Sequence, residues 1–282
     1  MSLENDKVAY GVQEPLVSVI LPAYNHDKYV AESINSVLKQ SYTNFELIII
    51  NDGSSDSTDE IISSIYNENK SAIKYISKKN EGLIKTLNLA LKISKGRYIT
   101  FIASDDKWMR EKLKIQVDFM QKNPDIYMSF TDAYFLKQFS ETSIKYTTYK
   151  PNIKKIFKKD KKNIFNKMII ENLVISLTTI IKREFIEELG FFDEDLIYED
   201  YDMWLRVSKK HKISYIDRVT AYYRIHDANF SRNTRKMIKG TLQILFKHYK
   251  LPPINRNPFK VAYFFSRFVM RTIVNRIKKN KL

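Results

Sequence analysis

The chain has 282 residues, 44% of them hydrophobic, with no Cys and a formal net charge of +16. That length supports one substantial core or a main domain with a short appendage, and the lack of Cys excludes disulfides. The charge is uneven: Ala228 to Leu282 holds 14 Lys and Arg and no Asp or Glu, leaving +2 for residues 1–227. Such a basic tail suits nucleic acid, an anionic membrane surface or a diphosphate-bearing substrate.

The first fifteen residues, MSLENDKVAYGVQEP, hold no apolar core segment and no cleavage-like ending, so a flexible segment and not a secretory signal is expected there. No apolar run approaches the roughly 20 residues of a membrane span, so a cytoplasmic location is expected. Val17 to Leu21 reads as a short apolar strand stopped by Pro22, followed by the polar turn Tyr24-Asn25-His26-Asp27. Val30, Ile34, Val37 and Leu38 then recur at helical spacing. Phe45 to Ile50 is a second strand, and Asn51 to Ser57 a polar turn with caps for a helix from about Thr58. Ile73 to Ile76 reads as a third strand, and Leu83, Leu87, Ala90 and Leu91 as a helix ending near Gly96 in a left-handed cap.

Tyr98 to Ala103 is a continuous apolar, β-branched and aromatic run, the pattern of a strand buried on both faces. It delivers Ser104, Asp105 and Asp106 just before a helical run predicted from Lys107 to about Gln121. Hard oxygen ligands at the carboxyl end of such a strand suit Mg²⁺ or Mn²⁺ with nucleotide phosphates completing the shell. The alternative is that Ser104 or Asp105 caps the helix. Alternation of strand and helix implies βαβ units and a mainly parallel sheet. No G-x-G-x-x-G follows the first strand and no Walker-type loop is present, so side chains and metal would hold a nucleotide. Further on, Lys154 to Lys162 reads as a solvated face, and Leu173 to Ile181 returns to the core. Glu199 and Asp200 open a partly buried helix with an acidic N-terminus. In the tail, Lys260, Arg267, Arg271 and Lys278 fall opposite Val261, Phe265, Phe268, Val269 and Ile273, an amphipathic basic helix that either meets a membrane or packs on the domain.

The ordered segments VSVILPAYN, IINDGSSDST, KNEGLIKTLNLAL, GRYITFIASDD, YEDYDMWLRVSK and YYRIHDANFS resemble family 2 glycosyltransferases of the GT-A fold, over about residues 16–231. The resemblance implies a Rossmann-like, mainly parallel α/β sheet flanked by helices, with residues 232–282 as a basic helical extension. It also implies sugar transfer from a nucleotide diphosphate donor to a hydroxyl with inversion, as in the building of bacterial surface polysaccharides. UDP-hexose or UDP-N-acetylhexosamine is the expected donor, and a glycan or polyprenyl-diphosphate-linked molecule the acceptor. The resemblance further implies peripheral contact at the inner face of the cell membrane, and no nucleic-acid partner is expected.

By the same likeness, Ala23, Tyr24, Asn25 and Asp52 lie near the nucleobase and ribose, Asn80 and Gly82 match the loop approaching the donor, and Lys85 would pair with a phosphate. Asp105 matches the metal-binding carboxylate of the D-x-D element, with Asp106 beside it as a second metal ligand, Ser104 before it on the donor side, and Ala103 in place of the element's first acid. His226 would ligate the metal or donate to a phosphate, and Arg224 would pair with a phosphate. Asp200 matches the general base, with Glu199 orienting it or touching the acceptor; the alternative is helix capping and a salt link to Arg206. Leu87 stands where many relatives carry arginine. A sugar nucleotidyltransferase, or a non-catalytic membrane- or nucleic-acid-binding protein, is the competing reading.

Overall fold

The computed structural model describes residues 14–159, 164–226 and 234–249. Most of the segment expected to be flexible at the N-terminus, part of the Lys154–Lys162 run, and the amphipathic helix expected around Lys260 to Lys278 lie outside the described residues. In chain order the elements are β1 (Val17–Ala23), α1 (Val30–Leu38), β2 (Phe45–Asp52), α2 (Thr58–Glu68), β3 (Ile73–Lys78), α3 (Leu83–Ile93), β4 (Tyr98–Phe101) and β5 (Lys107–Trp108). Then come α4 (Lys112–Lys122), β6 (Ile126–Lys137), β7 (Ser140–Lys145), α5 (Ile153–Lys159), α6 (Ile164–Met168), β8 (Thr179–Lys182), α7 (Arg183–Leu189), α8 (Glu199–Lys210), β9 (Lys212–Ile225) and α9 (Thr234–Tyr249).

One sheet runs in the order β3-β2-β1-β4-β8-β6-β9-β5, with β7 paired to β6. The first four strands are parallel, as the βαβ alternation predicts. Beyond them the sheet is mixed: β8 is antiparallel to both β4 and β6, β9 is parallel to β6, and β5 is antiparallel to β9. Because strand side chains alternate between faces, one apolar run feeds two cores. Val17, Val19, Leu21, Leu47 and Ile49 meet α1, α2 and α4 on one face. Ile20, Ile48, Ile50, Ile99 and Phe101 meet α3 and α8 on the other. Among the described residues no helix is long and apolar enough to cross a membrane.

Two local expectations are corrected. The helix predicted from Lys107 begins instead at Lys112, because Lys107 and Trp108 pair with Tyr222 and Ala221 of β9. Trp108 is buried, with its indole N–H donating to Leu177 O at 2.9 Å, so burial and strand pairing outweigh local helical periodicity. Asp105 and Ser104 therefore cap no helix. Gly96 also adopts no left-handed cap; a Cβ there would lie 2.4 Å from the Ser18 backbone N, so close packing on β1 demands the glycine.

Gly53 does need its conformational freedom. Its φ is +71°, and a Cβ would sit 2.6 Å from the Asn80 backbone N in the loop after β3. Gly53→Ala is expected to destabilise the fold by about 1–3 kcal/mol, readable as a lowered denaturant midpoint at unchanged slope; an unchanged midpoint would contradict the close approach of these two loops.

Candidate active site

Parallel register brings the carboxyl ends of β1 to β4 to one edge, the position where open α/β sheets bind ligands. At this edge Asn25 (φ 52°) tethers the β1 turn to the β2 turn: its N–H donates to Ser54 Oγ at 3.0 Å, and its Oδ1 accepts from Ser55 N at 2.8 Å. Ala23 is buried at the strand end, while the Tyr24 ring is 48% exposed, free to face a flat ligand. Asp52 receives the Lys78 ammonium and the backbone N–H groups of Glu81 and Gly82, the last two at 3.0 and 2.9 Å. Burial pushes its carboxyl up, but Lys78 and the Glu81 N–H more than offset that and leave it below the usual carboxylate range. Asp52 thus shapes the Asn80–Gly82 loop. Asn80 and Lys85 are exposed at its rim, and Gly82 (φ 93°) turns the chain into α3.

The loop after β4 is held by Ile102 N donating to Ile20 O at 3.0 Å and by Ser33 Oγ of α1 donating to Ala103 O at 2.9 Å. It presents Asp105 to two histidines. His226 Nε2 lies 2.9 Å from Asp105 Oδ2, and His26 Nε2 lies 4.0 Å from the same oxygen. One ligand atom from each of the three residues falls within 4.8 Å of the others. Two imidazoles and a carboxylate at such separations suit a first-row divalent ion. His26 Nδ1 is engaged by Ser104 Oγ at 2.7 Å, the kind of outer contact that fixes a ligating imidazole's tautomer. Burial lowers the His26 pKa despite the charge of Asp105, which favours the neutral ring whose lone pair a metal needs.

Asp106 and Arg224 sit differently from the sequence expectation. Asp106, expected as a second metal ligand, is buried outside this cluster and accepts the Arg224 backbone N–H at 2.8 Å. Burial, with the charge of Asp105 added, pushes its carboxyl well above the usual range. Arg224, expected on a donor phosphate, is fully buried. Its guanidinium donates to Asp105 O at 2.5 Å, to Gln138 O and to Glu32 Oε2 at 2.5 Å, and packs over the Tyr29 ring at 4.8 Å. A desolvated guanidinium requires its carboxylate, and Glu32 on α1 supplies it. Arg224 accordingly braces the loop that carries Asp105. His26, a turn residue with no periodicity of its own, and Glu32 were not singled out from sequence.

Glu199 and Asp200 form the first turn of α8, as predicted. The Arg206 alternative does not hold, because Arg206 pairs with Asp202 at 2.8 Å. Asp200 Oδ1 accepts the Tyr201 N–H at 2.6 Å. Burial pushes Asp200 up to about 6, and burial with the neighbouring charge pushes Glu199 up to about 8. The two therefore titrate as one interacting pair, both held above the usual carboxylate range. Burial, joined by the Asp200 charge, also keeps the Tyr198 phenol above its usual range. Leu87 is buried in the core, and the adjacent Asn88 clamps the loop leading to this pair, bonding Phe192 O and Phe192 N, each at 3.0 Å.

Residues 18–190 match the family described as glycosyl transferase family 2. The chain is 32% identical to the UDP-Glc:alpha-D-GlcNAc-diphosphoundecaprenol beta-1,3-glucosyltransferase WfaP of Escherichia coli, over 78% of this chain and 82% of that protein. It superposes on the mannosyltransferase PcManGT of Pyrobaculum calidifontis, solved with GDP-Man and Mn²⁺, with TM-score 0.65, 15% identity and 93% and 74% of the two chains covered. Superposition on S. aureus TarS 1-349 with UDP-GlcNAc gives TM-score 0.62, 22% identity and coverage of 90% and 72%. The fold is GT-A.

Proposed function

This chain belongs to glycosyl transferase family 2, and from that membership and the geometry of the strand edge we propose that it is a metal-dependent, inverting transferase of a UDP-hexose or UDP-N-acetylhexosamine. The observation that carries the reading is the His26–Asp105–His226 cluster at the carboxyl edge of the parallel strands. In this reading those three residues would hold Mn²⁺ or Mg²⁺, which would supply positive charge against the departing nucleotide diphosphate. Tyr24 faces the base, and Asp52 sets the Asn80–Gly82 loop against the donor. Lys85 pairs with a phosphate. Asp200, as carboxylate, takes the proton of the acceptor hydroxyl while that oxygen forms a bond to the anomeric carbon. The bond from that carbon to the diphosphate oxygen breaks on the opposite side, its electron pair leaving with UDP. Glu199, the more readily protonated of the pair, orients the acceptor.

The E. coli relative's name gives a lipid-diphosphate acceptor, and the same class is proposed here for surface-polysaccharide synthesis. Arg235, Lys236 and Lys239 are exposed on α9, at the start of the basic tail. In this reading the tail meets an anionic membrane surface, each engaged basic residue contributing about 1 kcal/mol.

A thermal-shift panel of UDP, GDP and UDP-sugars, each with and without Mn²⁺, tests the donor class. At a hundredfold excess over Kd, a ligand bound by the folded state adds about 2.7 kcal/mol, or about 5 °C or more for a chain of this size. The largest shift is expected for UDP species with Mn²⁺. A larger response to GDP, or one indifferent to Mn²⁺, would contradict the assignment.

A further inference from the structure

Glu199 and Asp200 lie in a segment held from one side by a single helix face. Gly240, Gln243, Ile244, Lys247 and His248 of α9 recur at i, i+3, i+4, i+7 and i+8, so all five share that face. A Cβ on Gly240 would lie 2.7 and 2.8 Å from the Tyr198 ring atoms Cδ2 and Cε2, and 3.1 Å from Ile197 Cβ. The helix therefore touches the residue immediately before the acidic pair. Gln243 brackets the approach to α8, its Oε1 accepting from Ile197 N at 3.1 Å and its Nε2 donating to Asp195 O at 2.9 Å. Ile244 is fully buried.

Beyond the pair, Asp202 is fully buried and receives His248 Nε2 at 2.7 Å, Lys247 Nζ at 2.9 Å and Arg206 Nε at 2.8 Å. Lys247 also reaches Asp193 at 2.6 Å. Asp193 through Asp202 is thus fixed by α9 at its beginning, middle and end. Carboxylates taken out of water do not find their own place; packing on either side must set it.

We propose that α9 is a positioning element for the transfer reaction, its Gly240–His248 face setting the placement of Asp200 through Tyr198 on one side and Asp202 on the other. The inference rests on Asp200 being the base.

Gly240→Ala separates positioning from stability. Alanine is the better helix former, yet its methyl forces the Tyr198 ring back by roughly 1 Å to reach ordinary contact. Displacement of that order costs about ten- to a hundredfold in turnover. The assay uses the full chain with UDP-glucose or UDP-GlcNAc and an α-D-GlcNAc-diphospholipid acceptor, reading kcat, donor KM, Mn²⁺-UDP affinity and Tm. Expected for Gly240→Ala is that fall in kcat, with donor KM and UDP affinity within twofold and a Tm still well above the assay temperature. Gln243→Ala should lower kcat in the same way, and Phe246→Ala, on the exposed side of α9, should not. In a Tyr198→Leu background, which removes the ring, Gly240→Ala should cost less than twofold. Native kcat in both Gly240→Ala and Gln243→Ala, with Asp200→Asn inactive, overturns the positioning role alone. Turnover retained in Asp200→Asn, or no UDP release by the unmodified chain, overturns the catalytic reading beneath it.

Discussion

Asp200→Asn is expected to abolish transfer while leaving the donor site intact. General-base catalysis contributes about 10² to 10⁴ in rate, so kcat should fall by that factor with Mn²⁺-UDP affinity unchanged. Asn keeps the oxygen that accepts the Tyr201 N–H, and it removes a carboxylate whose charged form burial disfavours. The sign for stability follows: a carboxyl whose pKa is raised on folding opposes folding once it is ionised, so at neutral pH the neutral amide should hold Tm level or raise it. Loss of activity together with lowered Tm would instead make Asp200 a structural residue. The unmodified enzyme should gain kcat as pH rises through the range, raised above that of an ordinary carboxylate, in which the Glu199–Asp200 pair loses its first proton. A profile flat from pH 5 to 7 would contradict the base assignment.

Asp105→Ala is expected to have the second large effect, since it removes the cluster's single anionic ligand. Metal stabilisation of a leaving diphosphate is worth several kcal/mol, a factor of about 10³ in rate. Transfer should fall by about that much, and the Mn²⁺-dependent part of UDP binding should vanish. His226→Ala and His26→Ala should each weaken Mn²⁺ dependence measurably, because each supplies one ligand atom. Asp106→Asn should spare it, since an amide oxygen there still accepts the Arg224 N–H. Titration of UDP binding against Mn²⁺ in the four variants distinguishes this set from a paired-aspartate site. Equal losses in Asp106→Asn and Asp105→Ala, with His26→Ala unaffected, would restore the paired site.

What the amino-acid order reveals here, and what it hides, follows from the range of the interactions. The runs of β1, β2 and β4 and the turns at their ends are local patterns, so the strand edge and Asp105 are legible from them. Glu199 and Asp200 are legible for the same reason, as an acidic start to an apolar-periodic helix. His26 carries no such pattern: it joins the cluster because parallel pairing sets the β1 turn beside the β4 loop and β9 returns His226 to the same spot. Arg224 looks like a phosphate partner in sequence, and its burial is met by groups far along the chain, the Glu32 carboxylate and the Asp105 and Gln138 carbonyls. The two-residue β5 defeats a helical periodicity because β9 and the buried Trp108 decide its backbone. The basic tail is plain from charge, but charge does not tell that α9 docks by a glycine on Tyr198.

Crystals soaked with UDP and Mn²⁺ and measured at the manganese absorption edge test the central assignment most directly. The expected result is one anomalous peak bonded to His26 Nε2, an Asp105 carboxylate oxygen, His226 Nε2 and the diphosphate. UDP bound at the strand edge with no manganese among these three side chains, or manganese held by Asp106 and not by either histidine, would contradict it.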